Sequence, residues 1–593
     1  MPNADVTKIA IIGFGPKGFY ALERLLAQYV CEQCEHALEI HVFNSNPHFA
    51  TGHNYAQSTP PYLLMNYASK HIDLFPGDYS NPLIFDPQRL DYWLADQSGS
   101  SVTDYSNVCV PRRRVGAYLQ YYYDQLLENL PAQVQVKEVE GYVNDVIFLG
   151  DHYSIGWKYP NDNIGSLSHV NWVMLSTGHP VPYKFDSAGS APQIHHVYPL
   201  PSKLSPIRAQ ENLAVMGFGL TMIDTSIALS EGRGGSFLAN ARGKMQYLPS
   251  GEEPNLFVFS KSGTPMIPRS GDDVQLDMTT DSSYVLSTVE RIMERHGTVD
   301  FSQDILPMLQ QDMEFQYYKS LMGSAGEVLE FNENWNRVQT QIIEYLVRKP
   351  KHVFKATDLF DPWAGKSVSH DTVVRYLKRL TNRTTAASIA LTAAAHVWKT
   401  VSPAFGKLYS HGGLTSQSHQ DFDQNWRGVL NRIAYGPPLV NMRKVVALAE
   451  AGVINFKFAA GPKLTEDRTI GTWILEKDGH QQICDWKIDA RIPKLDCENP
   501  AGIYKSLIQQ RLTRMMERPH ETGSYYPGCI ETGKHGEVHV PDGLACGIYA
   551  YGTPTEGVTY DNDTLSRKHN DNATTWSRAI LDSLTKHPVY ATA

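Results

Sequence analysis

The sequence predicts an α/β protein in which two strand–turn–helix units, each discontinuous along the chain, are separated by a helical insertion. Three observations predict it. A glycine-rich turn, Gly13-Phe14-Gly15-Pro16-Lys17-Gly18, follows a short β-branched run at 8–12 and opens a helical pattern at 19–30, with Leu22, Leu25 and Leu26 on one face. A second turn, Gly217-Phe218-Gly219-Leu220-Thr221, lies between an apolar run at 213–216 and a helical pattern at 222–229. Residues 275–450 read as mostly helical, with breaks such as Gly436-Pro437-Pro438.

The elements follow in order. A strand at 38–43 closes a βαβ unit on the first turn. An excursion over 46–130, rich in aromatic residues and proline, ends in a helix that opens after Pro111. Strands resume at 134–149 and at 170–175, the latter running into Ser176-Thr177-Gly178. In the second unit a strand at 256–259 follows the turn and helix, and further strands are expected at 453–458, 472–475 and 483–488. The tail reads as a helix at 501–516, a strand at 547–551 that runs into Gly552-Thr553-Pro554-Thr555-Glu556-Gly557, and a helix at 566–584. The first unit is expected to combine 1–200 with 491–593, the second 205–275 with 441–490, with 276–440 as the insertion.

Composition excludes several classes. The 593 residues are 42% hydrophobic and 19% charged, a globular balance. The 53 Lys and Arg against 62 Asp and Glu give a net charge of −9, which argues against nucleic acid as a partner. Seven cysteines in a chain of this length do not make a secreted disulfide framework, and Cys31 and Cys34 have no further ligands at metal spacing. No apolar run reaches the roughly 18 residues of a membrane span. The reading is cytoplasmic, with no membrane partner, no metal motif and no G-x-S-x-G nucleophile elbow.

The first turn carries dinucleotide chemistry. Gly13 permits the tight turn, Gly15 lets a diphosphate approach the backbone, Pro16 opens the helix and Gly18 lets that helix pack close to the strand. The helix N-terminus then offers free N–H groups to an anion. The acidic residue expected after the second strand is replaced by Asn44, which can hydrogen-bond a ribose hydroxyl without charge. Val143, Thr177 and Gly178 are further candidates on this unit. The second turn offers Gly217, Gly219, Leu220 and Thr221 but lacks the third glycine, so packing alone stays open there. Ser260 and Lys261 beyond the 256–259 strand, with Arg269, suit a 2′-phosphate and favour NADPH over NADH. Gly552, Thr555, Glu556 and Gly557 could hold an anion or a flavin edge, or form a surface turn. Arg112-Arg113-Arg114 could hold a phosphate or a carboxylate substrate, or form a solvated charge run.

Taken together, the first turn, the Ser176-Thr177-Gly178 strand end, the second turn and the Gly-Thr-Pro-Thr-Glu-Gly tail resemble two-dinucleotide-domain flavoproteins of the FAD/NAD(P)-binding family. Residues 11–18, 62–66, 110–119 and 217–224 carry that resemblance. A wider similarity is to flavin-dependent N-hydroxylating monooxygenases, including those that oxidise the amino group of aspartate. Those have a Met or Gln, then a Lys, then Asp-Leu near the flavin ring. Met65-Asn66-Tyr67-Ala68-Ser69-Lys70-His71-Ile72-Asp73-Leu74 looks like that segment, with one extra residue between Lys and Asp. The resemblance implies two Rossmann-like domains, FAD on the first and NADPH on the second. It implies hydride transfer to FAD, a C4a-hydroperoxyflavin formed with O2, and oxygen transfer to the nitrogen of an amino acid or small amine. Asn66 and Lys70 would line the flavin face, and the Arg triplet would suit a diacid. Two other classes stay open: an FAD-linked amine or amino-acid oxidase or dehydrogenase, in which the second turn is packing only, and a non-catalytic flavin-binding partner protein.

Overall fold

The computed structural model describes residues 6–586 apart from 78, 181–190, 242, 270–275, 277, 296, 497, 499, 501, 522, 541–546 and 568–569. Among the described residues ten strands form two parallel sheets. They are β1 Thr7–Ile12, β2 Leu38–Asn44, β3 Val134–Glu140, β4 Trp172–Leu175, β5 Gln193–Ile194, β6 Asn212–Met216, β7 Asn255–Phe259, β8 Ile454–Asn455, β9 Trp486–Asp489 and β10 Ile548–Ala550. The first sheet has the order β3-β2-β1-β4-β10 and the second β8-β7-β6-β9-β5.

The two sheets repeat one plan. In each, the strand before the glycine turn is central, and a three-stranded antiparallel meander precedes the strand on its other side. The meanders occupy Tyr142–Phe148, Tyr153–Lys158 and Ile164–Val170 in the first unit, and Lys463–Asp467, Thr472–Lys477 and His480–Cys484 in the second. Strand alternation explains why both faces of each sheet are covered. On β1, Ile9 and Ile11 enter one core with Leu22, Leu25 and Trp576, while Ala10 and Ile12 enter another with Val146 and Trp157 of the meander. On β6, Leu213 and Val215 pack with Ile223 and the insertion, while Ala214 packs with Trp473 and Leu475. Each fully buried aliphatic side chain of this kind stabilises by about 1.5–3 kcal/mol.

The first helix, Pro16–Cys31, packs its Leu22, Leu25 and Leu26 face with the terminal helix Asn572–Lys586. The insertion is helical as expected, centred on Ala386–Tyr409 against Leu306–Gly323. It shares one core with the second sheet and reaches the tail through Tyr560, whose ring lies 5.7 Å from Phe405.

Four expectations need correction. Strand β5 pairs with β9 through Gln193↔Lys487 and Ile194↔Ile488, so the expected boundary at 200 falls inside the second unit. A two-residue strand is below the reach of periodicity. The tail helix runs only over Ile503–Gln509 and the last helix starts at Asn572. Residues 501 and 568–569, within the expected spans of those two helices, lie outside the described residues. The expected strand at 483–488 is two elements, the end of the meander and β9. Cys31 and Cys34 are free thiols.

Candidate active site

The two glycine turns have matching geometry. Gly13 N–H donates to Phe43 O at 2.9 Å and Gly217 N–H to Phe259 O at 2.8 Å, locking each turn to the neighbouring strand. Gly13 has φ +91° and Gly217 φ +132°, backbone that glycine alone adopts without strain. A Cβ at Gly13 would collide with the backbone of Ser176 and Thr177, and one at Gly217 would lie 2.8 Å from Ala490 O. Gly15 and Gly219, by contrast, are extended N-caps with no side-chain cap, and a Cβ on either would meet nothing within 4 Å. Each turn therefore pairs an open backbone face with an uncapped helix N-terminus. That is the donor set and the space a diphosphate needs. Gly18 packs the first helix onto the turn, where a Cβ would lie 2.5 Å from Gly13 O. Met222, buried in the core, stands at the corresponding place in the second turn.

A cavity of about 690 Å³ runs between the carboxyl ends of the two sheets. It is lined by Gly13, Gly15, Pro16, Asn44, Val143, Thr177 and Gly178 of the first unit and by Leu220 and Thr221 of the second. Met65, Asn66 and Arg112 complete the wall from the 46–130 segment. The backbone N–H of Met65 donates to Val110 O at 2.8 Å, and Arg112 N–H to Leu63 O at 2.9 Å, fixing this wall. The Asn44 amide donates to Asn46 O and His48 O at 3.0 and 3.1 Å. Its carbonyl oxygen remains as the acceptor for a ribose hydroxyl, the role an acidic residue would fill. The residues present thus fit an adenine dinucleotide on the first unit and a second nucleotide on the other.

Residues 10–180 match the model of the FAD-NAD(P)-binding family. The sequence is 24% identical to nitrosuccinic acid synthase npaA of Aspergillus oryzae, over 93% of this chain and 88% of that protein. It is also 24% identical to an L-aspartate N-monooxygenase (nitrosuccinate-forming) of Streptomyces davaonensis, over 77% of each chain. Among solved structures, ornithine hydroxylase (PvdA) from Pseudomonas aeruginosa has a TM-score of 0.46 at 10% identity, covering 98% of this chain and 100% of that one.

Several expected site residues stand elsewhere. Arg113 and Arg114 are exposed and do not line the cavity. Arg112 lines it, but its guanidinium pairs with Asp224 at 2.5 Å, and Tyr198 donates to the same carboxylate at 2.6 Å. This pair joins the helix Arg112–Glu128 to the helix Leu220–Ala228 across the two units. Ser260 and Lys261 remain at the end of β7, next to the second turn. The Ser260 hydroxyl accepts from Gly263 N–H at 2.9 Å, and Lys261 is exposed. In the tail, Gly552 abuts the Lys17 side chain, and the 3₁₀ turn Thr553–Thr555 carries Thr555, Glu556 and Gly557 away from the cavity. Thr555 bonds Gly552 O and Thr559, while Glu556 accepts from Asn562 and faces Arg427. Tyr551, Thr553 and Asp563 line the cavity instead.

Arg269 and Lys70 lie near Lys399, outside the residues that line the cavity. Arg269 lies 4.6 Å from the Tyr67 ring and 5.5 Å from the Tyr435 ring, next to the Met65-Asn66 wall rather than at a 2′-phosphate. Lys399, from the long insertion helix, lies 5.6 Å from the same Tyr67 ring. Asn66 donates to Tyr435 O at 3.5 Å. Burial and then the nearby charges of Arg269 and Lys70 push Lys399 down to about 8. Burial, followed by Lys399 and Arg269, pushes His396 down to about 3, and burial with Lys399 and Lys70 pushes His71 down to about 4. Among the described residues no carboxylate pairs with Arg269 or Lys399, and the Arg269 Nε is buried with no partner. The acidic group nearest in effect is Asp561, half-buried and pushed up by desolvation. Like charges gathered in a half-buried place are costly unless an anion arrives. Sequence reading missed Lys399 because its partners are more than 100 residues away. The available signal was a cation within a mostly apolar helix, Ala386–Tyr409.

Proposed function

We propose that the protein is an FAD- and NADPH-dependent monooxygenase that oxidises the amino nitrogen of L-aspartate or a closely related dicarboxylic amino acid. The observation that carries the substrate class is the pair of cations Arg269 and Lys399 around Tyr67, beside the Asn66 wall of the cavity, with the charge of Lys70 felt at Lys399. A diacid supplies the two negative charges that Arg269 and Lys399 lack. The relative named as an L-aspartate N-monooxygenase supports the same reading, and the matched second turn supports NADPH over the oxidase alternative. When bound, FAD would supply the redox chemistry by accepting hydride and activating O2. The chain's own work is to hold the two nucleotides edge to edge, orient the diacid and keep water out.

The test is coupling. L-aspartate should raise NADPH consumption while hydrogen peroxide leakage falls, whereas L-ornithine and L-lysine, which add a cation to the cluster, should leave leakage unchanged. Equal coupling with ornithine would overturn the substrate class. Flavin that stays oxidised under anaerobic NADPH would overturn the enzyme class.

The cluster also sets a pH dependence. Lys399 is charged below about 8, and a bound dianion raises that value, so binding is fully supported below about 8 and weakens as pH rises above it. Succinate, ionised at both ends across this range, should inhibit with a constant Ki from pH 6.5 to 7.5 and a rising Ki above about 8. A flat profile to pH 10, measured against aspartate, would remove Lys399 from the subsite.

A further inference from the structure

The cavity has one wall that neither glycine turn supplies. His53 from the short helix Gly52–Tyr55, His179 beyond β4, and His196 and Lys203 beyond β5 line it, close to Thr221 at the start of the second helix. His179 Nε2 lies 3.3 Å from Asp563, and its Nδ1 is buried with no partner. Among the described residues no carboxylate pairs with Lys203 or His196. Burial pushes His196 down to about 4, reinforced by Lys203, His179 and His53, with Asp489 opposing. Tyr198 packs on its ring at 5.6 Å, and Asp489 is itself held by Arg491 at 2.7 Å. The protein carries a net charge of −9, so a basic wall here runs against its overall charge.

Topology says which part of a ligand would meet this wall. In the second sheet β5 stands beside β9, as β10 stands beside β4 in the first. A doubly wound sheet divides a dinucleotide between its two halves, with the diphosphate on the first helix and the adenine half over the strands that follow the glycine turn. That places the adenosine side of the second nucleotide over β7 and β8. The loop after β5 belongs to the opposite half.

We propose that Lys203 and His196, assisted by His53 and His179, form an anion grip for the nicotinamide-side phosphate of NADP(H), and that the grip takes up a proton as the nucleotide binds. The proposal rests on the second unit holding NADPH. Before the nucleotide binds, the His196 ring is neutral at pH 7. A phosphate beside it favours the imidazolium, so binding draws a proton from solution and tightens as pH falls from 8 toward 6.

The test uses the FAD-loaded, oxidised protein and calorimetric titration with NADP+ at pH 7, in buffers of different ionisation enthalpy. Adenosine 2′,5′-bisphosphate, which lacks the nicotinamide half, serves as the contrasting probe. Wild type should take up a fraction of a proton with NADP+ and none with the bisphosphate. Lys203→Met should weaken NADP+ by roughly tenfold, the size of one charge-assisted contact, and leave the bisphosphate within about twofold. His196→Asn should remove the proton uptake and flatten the pH dependence of NADP+ affinity. The flavin absorption band reports that each variant remains folded and loaded. Equal weakening of both probes, unaltered NADP+ affinity in both variants, or no proton uptake in wild type overturns the grip. If NADPH still bleaches the flavin in such a case, the monooxygenase reading stands without it. Wild type that binds no NADP+ overturns both.

Discussion

Arg269→Gln is expected to uncouple the enzyme: NADPH will still bleach the flavin, but aspartate will no longer suppress peroxide release. Arg269 faces Tyr67 and Tyr435 with no carboxylate partner among the described residues, beside the wall formed by Met65 and Asn66. Losing one half of a buried charge pair costs about 2–5 kcal/mol, a fall of roughly 30-fold to a few thousand-fold in kcat/KM for aspartate. Stability should not fall with it. An arginine whose burial disfavours its charge is not a source of native-state stability, and stacking of its guanidinium on the two tyrosine rings contributes only about 0.5–2 kcal/mol. Steady-state kinetics with peroxide detection, run beside thermal unfolding, would show the split. Loss of activity together with a lowered Tm would mean that Arg269 holds the fold and not the substrate.

Gly219→Val is expected to give a yellow protein that NADPH cannot reduce. Gly219 has φ −89° and ψ −168°, which valine adopts freely, and a Cβ there meets nothing within 4 Å. The added side chain therefore projects into the space for the second diphosphate without disturbing the core. Anaerobic rapid mixing should show flavin reduction slowed by about a hundredfold or more, with the FAD content unchanged, because hydride transfer demands close placement of the two rings. Gly15→Val, at the equivalent place in the first turn, should instead yield folded but colourless protein. An unaltered reduction rate in the Gly219 variant would turn the second turn back into packing and revive the oxidase reading.

The two turns show what was legible along the chain. Each is written in contiguous residues, strand then turn then helix, so the glycine pattern of Gly13, Gly15, Gly217 and Gly219 is readable without knowing the distant chain that packs against Gly13 and Gly217. Asn44, Thr177 and Thr221 line the cavity, and each sits at or just beyond the carboxyl end of a strand or at the start of a helix, a place that short-range rules can name. The arginine triplet stayed open between a binding site and a solvated run because sequence shows charge but not partners. Asp224 lies 112 residues from Arg112 and neutralises it, while Arg113 and Arg114 point to solvent. Thr555 and Glu556 stayed open for a related reason, because a 3₁₀ turn decides which side chains of a tail segment face inward.

By itself the sequence determined the two nucleotide turns, the helical insertion and the globular, acidic character of the chain. Only the tertiary structure decided that β5 closes the second sheet, that Arg112 and Asp224 join the two units, and that Arg269 and Lys399 meet around one tyrosine. The division has a physical cause. Backbone conformation depends on neighbours a few residues away, whereas the field at a binding site is summed over side chains that chain folding brings together from hundreds of residues apart.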